Sequence, residues 1–217
     1  MKQIPFPLLG LILIGMNLLT GCSSNIQPAG GEQPAGATAT QTQSTPPALY
    51  TGVQAFGCTH GLAQRWAADA IPVRLESVIN SEANGQNGKA TVWKAGFISP
   101  SRRLIKYFNC SGSRLKDAPP YGPSADIEQP YSPDVPAMAF QPLFLKVDSD
   151  KAYDVAREHG GAALIKKNPD QLVKYFVLWN PKQRALYWYV MYGKDKESAV
   201  GTGIVNALTG AYAGTAK

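Results

Sequence analysis

Leu172-Val173-Lys174-Tyr175-Phe176-Val177-Leu178-Trp179, the turn Asn180-Pro181-Lys182-Gln183, and Ala185-Leu186-Tyr187-Trp188-Tyr189-Val190-Met191-Tyr192 read as two strands and their connection. β-Branched and aromatic residues fill both runs, and Asn-Pro punctuates them. Alternation divides the first run into Leu172, Lys174, Phe176, Leu178 on one side and Val173, Tyr175, Val177, Trp179 on the other. It divides the second into Leu186, Trp188, Val190, Tyr192 and Ala185, Tyr187, Tyr189, Met191. Neither strand has a wholly polar side. A helix covers only one face of a sheet. The other face must therefore pack on the rest of the chain, on a connecting segment or on a partner. Tyr and Trp join apolar area to a polar handle, which suits binding. Tyr175, Trp179, Tyr187, Tyr189 and Met191 are the candidate binding surface, with burial between two halves of the chain as the alternative.

Working outward, Asp148 or Ser149 caps a helix whose inner face is Ala152, Val155 and Ala156, and Gly160-Gly161 ends it. Residues 162–167 suit a short strand, and Ala199–Asn206 another. Gly201 and Gly203 inside that last strand imply a bulge or close packing. The first half has the same order. Thr59 to Asp69 is helical by the spacing of Leu62, Ala63, Trp66, Ala67 and Ala70, and Pro72 follows it. Val73, Leu75 and Ser77 alternate with Arg74 and Glu76. Asn84-Gly85-Gln86-Asn87-Gly88 is a turn cluster. Thr91, Trp93, Ala95 and Phe97 form the buried side of a second strand, and residues 103–110 form a third. Between the halves, residues 119–138 hold six prolines, two tyrosines and three acids, an extended connector. The expected fold class is α+β, with two tandem helix-plus-antiparallel-sheet (α-β-β-β) repeats at 48–118 and 139–217.

The tail strengthens this pattern. Leu186-Tyr187-Trp188-Tyr189-Val190, a polar loop, and Ile204-Val205-Asn206-Ala207-Leu208-Thr209-Gly210 resemble the ending of PepSY-type domains, which close in Val-Asp-Ala-x-Thr-Gly. Asn206 stands where that family usually has aspartate, so one charge is lost here. Trp66, Asp69-Ala70, Trp93 and Phe97-Ile98-Ser99-Pro100 resemble segments of tandem envelope proteins of this kind. The resemblance implies a secreted or envelope module without catalysis of its own, sometimes linked to the restraint of peptidases.

The front of the chain fixes an address. Lys2, an apolar run from Ile4 to Leu18, and Leu19-Thr20-Gly21-Cys22 resemble a lipoprotein signal with its lipobox. Residues 1–21 are the expected signal peptide, and Cys22 is the residue that carries the diacylglycerol. Two acyl chains hold far better than one. Ser23, where an aspartate is absent, implies outer-membrane sorting by resemblance to Gram-negative lipoproteins. The expected location is the cell envelope, lipid-anchored, with an envelope protein or a cell-wall polymer as partner. Residues 22–47 read as a disordered tether, since 23–47 carry Glu32 as their single charge. A coil of that length spans roughly 25–30 Å.

The chain has 217 residues and a formal charge of +6, and loss of Lys2 with the signal leaves +5. The bases are scattered, which argues against nucleic acid. With Cys22 acylated, Cys58 and Cys110 remain, either as a disulfide in an oxidising compartment or as two thiols. His60 and His159 stand apart, and two such ligands do not make a zinc site. No Gly-x-Ser-x-Gly elbow, His-Glu-x-x-His pair or phosphate-cradling loop occurs. No catalytic residues, metal or cofactor are expected. The function classes that remain are a non-catalytic binding or inhibitory module, a hydrolase or transferase acting on cell-wall material, and a structural part of an envelope assembly.

Overall fold

Thr51 starts the first helix because it closes a capping box. Its Oγ1 accepts from the Gln54 amide at 3.4 Å, and Gln54 Oε1 accepts from the Thr51 amide at 3.0 Å. The computed structural model describes residues 45–216. The expected signal peptide, Cys22 and the expected tether as far as residue 44 lie outside the described residues. After a short strand β1 (Tyr50–Thr51), helix α1 runs Gly52–Trp66, seven residues earlier than the spacing predicts. Gly52, Gly57 and Gly61 hide it from a propensity reading, while the Thr-x-x-Gln box announces it.

Strands β2 (Ile71–Val78), β3 (Lys89–Ala90), β4 (Val92–Ser99) and β5 (Leu104–Ser111) follow, with β3 pairing β1 apart from the main sheet. The proline-rich stretch contributes β6 (Gly122–Ala125) and β7 (Gln129–Pro130), both on the outer edge of β5. Helix α2 spans Ser149–Ala156, and helical geometry is lost at His159 (φ −99°, ψ 41°) and Gly160 (φ 109°, ψ −19°), so the helix ends where the glycine pair places its end. Across the kinked turn Arg157–Gly161 a second helix, α3 (Ala162–Lys167), begins where the sequence suggests a strand. Ala, Leu and Lys at 162–167 are strong helix formers, and Ile165 is the lone β-branched residue. Strands β8 (Val173–Asn180), β9 (Ala185–Tyr192) and β10 (Gly201–Asn206) come where alternation places them, and β11 (Tyr212–Ala216) is an addition.

The sheet order is β11-β10-β9-β8-β2-β4-β5-β6, antiparallel throughout. The protein is therefore α+β, dominated by one antiparallel sheet. The join between β8 and β2 is brief: Leu75 opposes Val177 and Glu76 opposes Phe176. Beyond it the Ser77 hydroxyl accepts from the Tyr175 amide at 2.9 Å, and Asn84 O accepts from the Val173 amide at 2.8 Å. The turn 84–88 thus continues the ladder that β2 leaves. Gly85 (φ 79°) and Gly88 (φ 76°) let it do so, since a Cβ at either would collide with backbone of Val173 or of Ser149 and Asp150.

Helices α1 and α2 lie on one face, over a core of Leu75, Trp93, Phe97, Tyr175, Trp188 and Val205. Cys58 of α1 and Cys110 of β5 form a disulfide that staples helix to sheet. The two helices meet at their N-termini. Asp148 Oδ1 accepts from the amides of Ser149 (2.7 Å) and Val53 (2.9 Å), and Oδ2 accepts from Thr51 Oγ1 (2.6 Å). Ser149 Oγ accepts from Gly52 N at 2.7 Å and donates to Gly88 O at 2.5 Å. One carboxylate so serves two helix starts. Among the described residues no helix is long and apolar enough to cross a membrane.

Candidate functional site

The sheet face turned away from the helices differs between its two ends. Toward β5 it holds Val73, Ile98 and Ile105, all nearly covered, with Tyr131, Val135 and Ala139 of the proline-rich segment packed on them. Toward β10 it holds Lys174, Phe176 and Leu178 of β8, Tyr187, Tyr189 and Met191 of β9, and Thr202 and Ile204 of β10. Phe176 opposes Tyr189, which opposes Ile204, so an apolar rung crosses three strands. The Phe176 and Tyr189 rings stack with centroids 5.0 Å apart and planes 4° apart. Arg74 covers the other side of Phe176, its guanidinium carbon 5.7 Å from the ring centre. Glu76 Oε2 holds both Arg74 (2.9 Å) and Lys174 (3.3 Å).

The loop after β9 forms the wall of this surface. Asp195 Oδ1 accepts from the Ser198 amide at 2.9 Å, and Ser198 Oγ accepts from the amides of Lys194 (3.1 Å) and Asp195 (3.2 Å). The Ser198 hydroxyl and then its amide hold the Asp195 carboxyl below the usual carboxylate range. Between loop and sheet lies a cavity of about 280 Å³, lined by Phe176, Leu178, Tyr189, Met191, Lys196 and Ala199 among others. A neighbouring cavity of about 270 Å³ is bounded by Arg74, Lys174, Asp195 and Glu197. Burial, then the neighbouring Tyr187, pushes the Tyr189 hydroxyl upward, so it remains a neutral donor near pH 7. The surface can hold apolar side chains and answer charge at its rim.

The structure divides the five candidate residues. Tyr187, Tyr189 and Met191 share this outer face; Tyr189 is partly exposed, while Tyr187 and Met191 are 8% and 4% exposed. Tyr175 and Trp179 belong to the opposite face. Tyr175 has no exposure and donates its hydroxyl to Gly85 O, and Trp179 packs on Phe144 at 5.4 Å. Neither is part of a surface with Tyr189. Phe176, Leu178 and Ile204 replace them. Asn180 pairs Ala185 across the hairpin, so even-numbered residues of β8 share a face with odd-numbered residues of β9. That register is set by the turn, and reading it would have found Phe176.

Both histidines lie on the helix side. His60 stacks on Phe56 (5.3 Å) and Phe97 (6.0 Å), and His159 stacks on Tyr212 (4.0 Å). Among the described residues no three His, Cys, Asp or Glu side chains gather around a point that a metal could occupy. A third cavity, also about 270 Å³, lies between the turn Arg157–Gly161 and β10. Tyr192 lines it, and its buried hydroxyl has no hydrogen-bond partner. Compared with protein-family models, with curated proteins and with solved structures, the chain has no match in any of the three.

Proposed function

We propose that this is a lipid-anchored cell-envelope protein whose body is a non-catalytic binding or inhibitory module made of two PepSY-like repeats. The observation that carries the binding reading is the partly open outer face of β8–β10, with its cavity between sheet and loop. The same face of the same sheet is covered on β2–β5, so the opening belongs to one half only. Partly exposed Phe176, Leu178, Tyr189 and Ile204 lie there together, an arrangement suited to a partner.

The repeat reading is supported by more than element order. β2 and β8 are each the first main-sheet strand after a helical segment, and they pair antiparallel at the centre. Trp93 donates its indole N–H to Tyr50 O (2.9 Å), one residue before the cap of α1. Trp188 donates to Val147 O (2.7 Å), one residue before the cap of α2. The two rings meet edge to face at 6.1 Å. Each indole thus holds the start of its own helix, and the pair sits where the halves join. The sequence resemblance to PepSY-type endings supports the same reading.

Two experiments test it. Cys22→Ser should abolish incorporation of a fatty-acid label and release the protein from the membrane fraction; retention of both would remove the anchor. A photo-crosslinker at Tyr189 in the full chain, expressed in its own envelope, should give a reproducible adduct that a crosslinker at exposed Lys166 does not. Identical adduct patterns from the two positions would remove the binding reading.

A further inference from the structure

Val78, Val92, Ser111 and Gly122 form a row across β2, β4, β5 and β6 that closes the sheet at one end. The described chain begins at residue 45 and joins the body there. The Ala48 amide donates to Gly112 O at 2.9 Å, one residue beyond the row, and Ala48 lies so close that Gly112 has no room for a Cβ. Leu49 then borders the loop 81–87, which follows β2. Leu49, Val78 and Tyr121, the residue before Gly122, are exposed. The loop between β5 and β6 completes this end. Leu115 and Pro119 meet Val78 around a cavity of about 100 Å³, and the Arg114 guanidinium carbon stands 4.0 Å from the centre of the Tyr121 ring. Arg114 and Lys116 are exposed bases, and Asp117 is an exposed acid. Glu82, beside Arg114, is turned inward: Oε1 accepts from the Arg114 amide at 2.9 Å, and Oε2 is covered.

This mixture suits the boundary of a bilayer. A tyrosine ring sits at head-group depth, aliphatic side chains reach below it, and Arg and Lys bury their stems while their heads meet lipid phosphates. Apolar exposure alone does not choose this end. Ile71 and Leu143 are exposed at the other, where β2 begins and where Phe144 packs on Trp179 near the close of β8. The point of entry does choose it. With Cys22 in the membrane, residues 23–44 are the whole tether, roughly 25 Å for a coil of that length. Strands of 8 residues separate the two ends by roughly 27 Å. The entry end meets the surface with the tether slack. The far end meets it only with the tether drawn back along the body. A few partly inserted side chains bind weakly by themselves, no better than a single acyl chain. The anchor makes that weak contact intramolecular, which raises its occupancy.

We infer that the end of the sheet carrying Leu49, Val78, Tyr121, Arg114 and Lys116 rests on the membrane that holds the anchor and takes anionic lipid head groups. This rests on the lipid-anchor reading above and adds the orientation of the body. The probe is a vesicle of phosphatidylethanolamine and phosphatidylglycerol. It carries the chain from Cys22 onward, coupled to a maleimide lipid through Cys22, the one cysteine outside the disulfide. A photo-crosslinker replaces Tyr121 or Leu143. Leu143 is the more exposed, 59% against 51%, yet position 121 should give several-fold more lipid adduct. Lys116→Glu, on an exposed loop where folding is not at stake, should cut the yield at 121 about fivefold, the contribution of one base near an anionic surface. Replacing phosphatidylglycerol by phosphatidylcholine should lower it as well. Equal yields at the two positions, or more at 143, overturn the inference, as does a yield at 121 indifferent to both changes of charge. Adducts from 121 that land in a second copy of the chain overturn it too, because the occupant is then protein. The coupling supplies the anchor chemically, so the two readings fail separately. A Cys22 that takes no fatty-acid label in cells removes the anchor, whereas a labelled Cys22 with equal yields on vesicles removes this inference alone.

Discussion

Asp148 shows how much one side chain carries here. Its carboxylate accepts from two backbone amides and one hydroxyl, on two different helices. Asp148→Ala removes a cap from α2 and a charged acceptor from α1, and should lower stability by about 2–4 kcal/mol in urea unfolding. A loss below about 0.5 kcal/mol, the scale of an ordinary surface change, would mean that water replaces it. Asp69 gives a pH-dependent counterpart. The Ser101 amide, then the Ser99 and Ser101 hydroxyls, hold its carboxyl down to about 2. The folded value lies below that of an unfolded aspartate. Its contribution is therefore complete above pH about 4 and is lost as the pH falls toward 2. In that window the melting temperature of the parent chain should fall more steeply than that of Asp69→Asn; parallel slopes would refute the assignment. Tyr192 illustrates the opposite balance. Its hydroxyl is buried without a partner, and burial raises its ionisation accordingly. Tyr192→Phe should raise stability by about 1 kcal/mol, since an unmet polar group is removed and the ring remains. A decrease on urea unfolding would show that the hydroxyl is paired.

At the scale of elements, what was legible followed from periodicity and what was not followed from contacts across the sheet. Alternation and β-branched or aromatic content locate β2, β4, β5, β8, β9 and β10; β8 and β10 bury alternate residues, while β4 and β9 bury nearly all of theirs. Neither can say which side of β8 meets which side of β9, and so Tyr175 and Trp179 joined the candidate surface while Phe176 and Leu178 did not. Glycine points both ways. Gly52, Gly57 and Gly61 mask the start of α1, whereas Gly160-Gly161 marks the break between α2 and α3. Both glycines of the turn have reasons outside the helix. Gly160 takes φ 109°, and Gly161 has no room for a Cβ because the Tyr192 hydroxyl lies against it. Gly201 and Gly203 of β10 do the same from below, against Leu164 and Ala156. Gly161→Ala should therefore cost about 1–3 kcal/mol, the range of overpacked sites. In a Tyr192→Phe background the penalty should shrink, because the atom met first by the new methyl is gone. Additive effects of the two changes on urea midpoints would place the strain elsewhere.

For the molecule as a whole, the central question is whether the two ends of the sheet are one unit of folding. The β2–β8 ladder is short, and taken alone it would hold them weakly. Three further ties cross the same seam: the shared caps at Asp148 and Ser149, the turn 84–88 against β8 and α2, and the Trp93–Trp188 contact inside a single continuous core. Each element that would detach one half leaves a buried donor or a cavity in the other. The Cys58–Cys110 bridge, by contrast, lies wholly within the first half and closes a loop with a sequence separation of 52. Closing a loop of that size constrains the unfolded chain by about 4 kcal/mol. Replacing both cysteines by serine should therefore destabilise the first half directly. If the seam couples the halves, the second half must go with it. Far-UV circular dichroism and tryptophan fluorescence should then report one coincident urea transition in the parent chain, and still one, at lower urea, in the double variant. A biphasic curve in the double variant, with a stable remainder that protects the amides of β8, β9 and β10 from exchange, would mean that the second half stands alone.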